Sequence, residues 1–261
     1  MSPKAADFSV SSLGNFVDAT TKLAHEWSTQ EGSLYPWFRG HAATSWRLVP
    51  SLYRQRNVTE SDLIFDFVQK APAFVENMPE SNWDRYFLMR QHGLPTRLLD
   101  WTESAVIALY FALCRCVARK GAAVWMLDPW WLNRVSTGSE LLFDATEKEV
   151  RAYAPVIHGT DEEPRLPARP VALVPPYNTD RARAQRLTFT VHGSVRAGLE
   201  AQLERWGGTH RHFAKILVPR EHMGNMFLEV RRIAGVTESM VFPDLDGLSR
   251  DIRMYYELTT E

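Results

Sequence analysis

Apolar residues recur along this chain with two periods, and the switches between them mark out its elements. Over residues 11–28, Leu13, Phe16, Val17, Leu23, Ala24 and Trp27 follow helical spacing, and Ser11 and Ser12 are placed to cap the helix. LYPWFRG (34–40) turns to strand character, with Pro36 acceptable at a strand start or on an edge. WRLVPSLYR (46–54) reads as an extended segment interrupted by Pro50. A helix follows Thr59, where Asp62 completes a capping box, and it buries Leu63, Ile64, Phe67 and Val68. A second helix spans 82–91 and stops at Gly93 and Pro95.

RLLDWT (97–102) predicts a short buried strand, with Thr102 ending it or capping the helix ESAVIALYFALCRC (103–116). That helix is apolar around most of its circumference, so it belongs at the centre of the core. AAVWML (122–127) is a strand, and PWWLNRV (129–135) a short helix with Pro129 in its first turn. Residues 136–170 gather charges and prolines and read as a mobile surface excursion. VALVPP (171–176) and LTFTVHG (187–193) read as strands, with RARAQ (181–185) as a polar connector. FAKILVP (213–219) is a strand, 220–233 a helix, and ESMVFP (238–243) a strand or extended segment. Asp244 and Asp246 lead into a last helix, LSRDIRMYYEL (248–258). The order predicts an α+β fold, one domain with a helix-rich N-terminal half and a strand-rich C-terminal half. Residues 1–30 form a helical segment ahead of the main domain at 31–258.

With 45% hydrophobic residues among 261, the chain can bury one sizeable core. A net charge of −1 excludes a broad positive field for nonspecific duplex binding, though a local basic patch fits. Cys114 and Cys116 stand about 200° apart on a helix, which disfavours a disulfide or a shared metal and suggests buried, inert thiols. That usage, with no apolar signal core at the N-terminus, suggests a cytoplasmic protein. No apolar run is long enough to span a membrane. There is no glycine-rich phosphate loop and no paired-histidine zinc helix. His210 and His212 share a strand face, but two ligands are too few for a metal site, so a solvated pair is expected.

Three stretches place a charge inside an apolar run: WFRG, QHGLPTRLLDWTESAVIALYFA (91–112) and GVTESMVFPDLDGL (235–248). One reading is structural. Arg39 pairs with Asp100, Arg97 pairs with Asp244 or Asp246, and Glu238 caps a helix or turn. A second reading comes from likeness. WFRGH…W.L.PSLYR, the long 91–112 motif and the late VFPDLDGL resemble the FRG domain of bacterial proteins, named for Phe/Tyr-Arg-Gly, here Phe38–Arg39–Gly40. The likeness runs from about Trp37 to Leu248, which makes 31–258 the FRG domain. His41 departs from the glutamine that commonly follows the glycine, and Arg186–Leu187 departs from a residue-glycine pair.

A more distant resemblance is to ADP-ribosyltransferases of the Arg-Ser-Glu type. These have an aromatic-Arg-Gly strand, a Ser-Thr-Ser strand, a helix of the form A..F, and a late glutamate before an apolar strand. Phe38–Arg39–Gly40, LDWTES with Ala108 and Phe111, and Glu238 before MVFP stand in that order. The resemblance implies NAD as substrate and Arg39, Thr102 and Glu238 as the catalytic set. Arg39 would grip phosphate or ribose oxygens through its planar fork. Gly40 would admit the ligand backbone, and Phe38 or Trp101 would stack on the nicotinamide. Glu238 would stabilise the oxocarbenium-like sugar, with Thr102 holding that carboxylate or the nicotinamide amide. His92, Thr96, Arg97 and Asp100 would complete the ligand site, His92 and Arg97 toward phosphate. The activity implied is ADP-ribosyl transfer to a protein or nucleic acid, or NAD cleavage, in a toxin or anti-phage effector. Against it stands a non-catalytic module for a nucleotide or a nucleic-acid end, with RARAQR (181–186) and the histidines near 210 as basic contacts. A third reading is a purely structural domain with buried ion pairs.

Overall fold

The computed structural model describes residues 7–28, 35–114, 120–156 and 165–257. Its strands are β1 (Asp7–Ser9), β2 (Trp37–His41), β3 (Leu98–Thr102), β4 (Ala122–Leu127), β5 (Val171–Leu173), β6 (Leu187–Val191) and β7 (Phe213–Val218). Its helices are α1 (Leu13–Trp27), α2 (Glu60–Lys70), α3 (Asn82–Gln91), α4 (Ala105–Leu113), α5 (Pro129–Thr137), α6 (Asp180–Ala184), α7 (Leu199–Arg205), α8 (Arg220–Arg232), α9 (Glu238–Val241) and α10 (Leu245–Tyr255). The strands form one mixed sheet in the order β1-β7-β4-β2-β3-β6-β5.

Helices cover both faces. On one face, α1, α4 and α8 pack over β2, β4 and β7 around Phe16, Leu23, Ala108, Val124, Ile216 and Met226. On the same side, α2 and α3 cover β3, β5 and β6 around Ile64, Tyr86, Phe87, Leu98 and Phe189. On the other face, α5 and α7 close over Trp37, Trp101, Trp125, Leu127 and Phe213. Every residue of β4 is buried, as an apolar run in a central strand requires. The N-terminal stretch shares this core: β1 pairs parallel with β7, and α1 buries Phe16, Leu23 and Trp27.

The α+β class holds. Strands and helices are less cleanly divided between the halves than the pattern predicts, because β1 to β4 precede residue 130 and α6 to α10 lie in the second half. The caps at Ser12 and at Thr59–Asp62 form as predicted. Five local readings need correction. Residues 46–54 make turns and one 3₁₀ turn, Leu52–Arg54, instead of an extended segment. Pro50 has no N–H to offer a strand neighbour. The 136–170 stretch is no free excursion where it is described: Phe143, Val150 and Tyr153 are buried in the core. RARAQ lies largely in α6, capped by Thr179. Residues 238–241 form helix α9, capped by Thr237, where apolar composition predicts a strand. The last helix begins at Leu245 behind Asp244, which caps it. β1 and α7 lack a clear sequence signal. Leu34 and Cys116 lie outside the described residues, and Cys114 is half-buried, its Sγ 3.8 Å from the Phe111 carbonyl.

Candidate functional site

The sheet has a seam. β2 pairs with β4 over five residues and β3 with β6 over five, but β2 and β3 pair only at Phe38–Thr102. Beyond that pair the two strands diverge. Alternation sends Phe38 and Gly40 toward α4, and Trp37, Arg39 and His41 toward the opposite face. Gly40 is required for packing: a Cβ there would stand 2.0 Å from the Ala108 carbonyl oxygen and 2.6 Å from the Ala112 nitrogen. The close approach it permits is to α4.

Arg39 fills the seam. Its guanidinium donates to the Asp100 backbone carbonyl, lies 3.6 Å from the Asp100 carboxylate, and donates through Nε to His41 Nε2 at 3.1 Å. Asp100 is held more firmly by Arg90, which makes a two-pronged contact from α3. Burial pushes the Arg39 pKa down to about 10, Asp100 working the other way, so Arg39 stays charged at neutral pH. Burial also opposes ionisation of Asp100, but Arg90 and Arg39 outweigh it and hold the carboxyl below its ordinary value. The structural pairing of Arg39 with Asp100 is thus present.

Arg97 has a different partner from those expected. Its Nε meets both Glu60 oxygens at 2.8 Å, and its terminal nitrogens donate to the carbonyls of Tyr153 (2.7 Å) and His192 (3.1 Å). Asp244 and Asp246 take no part. Thr96 is buried and accepts from Leu98 N–H. Trp101 is buried and donates to Thr190, so its face is closed to a nicotinamide; Phe38 is equally enclosed in the core. Thr102 accepts from Ser104 N–H at 3.0 Å and shapes the turn into α4. His92 lies apart on an apolar hollow of about 400 Å³ walled by Leu63, Phe67, Phe74 and Leu88. His212 stacks on Trp131 at 4.3 Å, and burial lowers its pKa to about 4, so it is no solvated pair with His210.

Glu238 does not join Arg39 and Thr102. Its carboxylate accepts from the Tyr110 hydroxyl and from Arg250 Nε at 2.7 Å. Tyr110 stands about 200° around α4 from Ala108 and Ala112, the residues that meet β2. Glu238 therefore sits across α4 from the seam.

Several polar groups of the seam carry no local sequence signal. Trp101 Nε1 donates to Thr190 Oγ1 (3.1 Å), which shares a second hydrogen bond with His192 Nε2 at 3.2 Å and leaves the other ring nitrogen, Nδ1, facing away. That Nδ1, with the indole N–H groups of Trp37 and Trp125, has no hydrogen-bond partner among the described residues. Such unmet polar groups cost roughly 1–3 kcal/mol each. Burial first, then Arg97 and Arg39, lower His192 to about 3. His41 is lowered to about 3 by burial and Arg39.

Beside the seam opens a polar cavity of about 620 Å³ between residues 52–61, 152–156 and 194–196. Arg56, Arg97 and Arg196 line it against one carboxylate, Glu60, which Arg97 already neutralises. Thr59, Ser61 and Ser194 add hydroxyls. Tyr53 donates to Gly193 O, leaving its ring to the cavity with the Arg196 guanidinium 5.5 Å from the ring centre. Of the sequence-selected residues, only Arg97 reaches this cavity. Its other members come from distant segments, of which only Leu52 and Tyr53 fall in a stretch that carries the family likeness. Among the described residues no three His, Cys, Asp or Glu side chains gather as a metal site, and no helix is long and apolar enough to cross a membrane.

The family model described as FRG domain matches residues 35–120, which contain β2, β3, α4 and ten of the sixteen residues of the cavity wall, Arg56, Glu60 and Arg97 among them. No protein of curated function and no solved structure matches the chain. The match to the FRG domain is confined to residues 35–120, and that segment supplies both strands of the seam.

Proposed function

We propose that this FRG-domain protein is a nucleotide-binding module that seats a phosphate-bearing nucleotide, NAD among the candidates, in the 620 Å³ cavity beside the seam. One observation carries the reading: Arg56 and Arg196 line the cavity with no carboxylate partner among the described residues. A planar guanidinium fork matches phosphate oxygens in pairs, which an ammonium does not. The hydroxyls of Thr59, Ser61 and Ser194 suit a ribose, and the volume falls in the range of small-molecule sites. Calorimetric titration tests this with NAD, ADP-ribose, AMP and adenosine. The phosphorylated ligands bind at least about tenfold more tightly than adenosine, and the advantage shrinks with salt. Arg56→Ala with Arg196→Ala weakens them by roughly a hundredfold, about 1.5 kcal/mol for each charge-assisted contact. Equal binding of adenosine, or unchanged affinity in the double variant, contradicts the reading.

One observation favours a second reading, an NAD-cleaving or ADP-ribosyl-transferring enzyme. The aromatic-Arg-Gly strand and the LLDWT strand are sheet neighbours, with Arg39 between them. Glu238, engaged with Tyr110 and Arg250, is poorly sited for the carboxylate role, whereas Glu60 lines the cavity. Nicotinamide release from NAD, followed by chromatography, separates the two readings. Intact NAD after prolonged incubation removes the enzyme. Turnover that survives Glu238→Gln and is lost in Glu60→Gln transfers the carboxylate role to Glu60. A toxin or anti-phage role, and a protein or nucleic-acid acceptor, belong to this second reading alone.

A further inference from the structure

α10 is amphipathic, yet it presents its apolar side to water. Leu245, Leu248, Ile252, Tyr255 and Tyr256 fall within about 100° of one another on the helical wheel. All are exposed, from 47% for Leu248 and Ile252 to 80% for Leu245. The opposite side does the packing. Gly247 lies so close to Phe242 that a Cβ would meet its carbonyl oxygen at 2.0 Å. Asp251 accepts from the backbone N–H of Glu238 (3.0 Å) and Ser239 (2.7 Å). A helix serving only its own core would be turned the other way. Among the described residues, nine of the sixteen exposed large apolar side chains lie between positions 228 and 256. That concentration marks a surface built for contact.

The charges beside the stripe identify the partner. Asp246 and Arg253 are seven residues apart, so they share one edge of the stripe. Both are exposed, and neither has an ion-pair partner among the described residues. An antiparallel pairing centred near residue 250 sets Leu248 against Ile252 of a second copy and Leu245 against Tyr255 of that copy. It also brings Asp246 beside Arg253 of the second copy, twice by symmetry. Antiparallel helices align the same edge of each, so this opposite-charge match is self-complementary, as a two-fold interface demands. A parallel pairing sets like charges at the same height. We propose that α10 is a self-association surface through which two copies of this chain pair antiparallel about a two-fold axis.

Sedimentation equilibrium on the full chain tests it, across roughly 1–100 μM, where interfaces of modest size dissociate. The wild type shows a concentration-dependent dimer. Leu248→Asp with Ile252→Asp leaves it monomeric, while the thermal melt at low concentration stays unchanged because both sites are solvent-facing. Asp246→Arg alone and Arg253→Asp alone each weaken the dimer about tenfold. The two together restore it, which a parallel pair or an unrelated interface would not allow. A wild type monomeric throughout, whether because another protein or a membrane surface covers the stripe or because nothing does, overturns the proposal. So does a dimer indifferent to Leu248→Asp with Ile252→Asp, or a charge exchange that fails to rescue.

Discussion

Two groups of arginines separate what holds this protein together from what it offers to a ligand. Arg39, Arg90 and Arg97 lie largely inside, and each guanidinium meets acceptors of its own chain: Asp100, the Asp100 carbonyl, Glu60, and the carbonyls of Tyr153 and His192. Arg56 and Arg196 line the cavity with their counter-charges unsupplied among the described residues. The side chain is the same in both groups. Where the opposing charge comes from decides its role. A fork filled from within fixes the fold, and a fork left open at a cavity wall is free for an anion.

The largest effect that sharpens this contrast is at Arg97. Arg97→Ala strands Glu60 without its counter-charge beside the Tyr86 hydroxyl, and takes a donor from the carbonyls of Tyr153 and His192. The expected loss is about 3–5 kcal/mol of unfolding free energy, read from urea melts. A loss below about 1 kcal/mol, the value for a surface pair, breaks the contrast. Next comes the pH dependence of the enclosed histidines. His41 and His192 are lowered from 6.5 to about 3, so the unfolded chain binds their protons in the intervening window and the folded chain does not. Stability is therefore full above pH 6.5 and declines as the pH falls toward 3. Each histidine forfeits on the order of 2 kcal/mol by pH 5. Melts at pH 7 and pH 5 measure the decline, and His192→Gln removes its own share. A flat profile refutes it. The smallest effect on stability is at the cavity: Arg56→Ala and Arg196→Ala each shift it by no more than about 0.5 kcal/mol, while nucleotide binding suffers. Unfolding of either variant would put these arginines in the first group.

Much of the fold was legible because its signals are local. The Ser12 cap, the Thr59–Asp62 box, the apolar run of β4 and the helical period of α8 are each written within a few residues. α9 is the counterexample. Its four residues read as a strand, and what makes them helical is partly remote: the Asp251 carboxylate holds the first N–H groups from the next helix. The buried Phe143, Val150 and Tyr153 were hidden among charges and prolines. At the site, the Arg39–Asp100 pair was foreseeable from two charges set in apolar runs. The Glu60 partner of Arg97 was not, because it depends on how α2 lies against the start of β3. Glu238 precedes MVFP as the distant resemblance implies, but order along a chain does not fix the side of a helix on which a carboxylate ends. The cavity was invisible for a related reason, since the segments of its wall meet only in the folded chain.

The seam has a consequence for anyone who would redesign this protein. Two half-sheets joined by one residue pair resemble two plates held by a rivet, and the rivet here is a side chain, Arg39, not a run of backbone bonds. Each plate keeps its own ladder if the rivet is drawn, so damage would appear first as slippage between intact halves. Stiffening the molecule would begin by extending the β2–β3 ladder, well before any attention to its core.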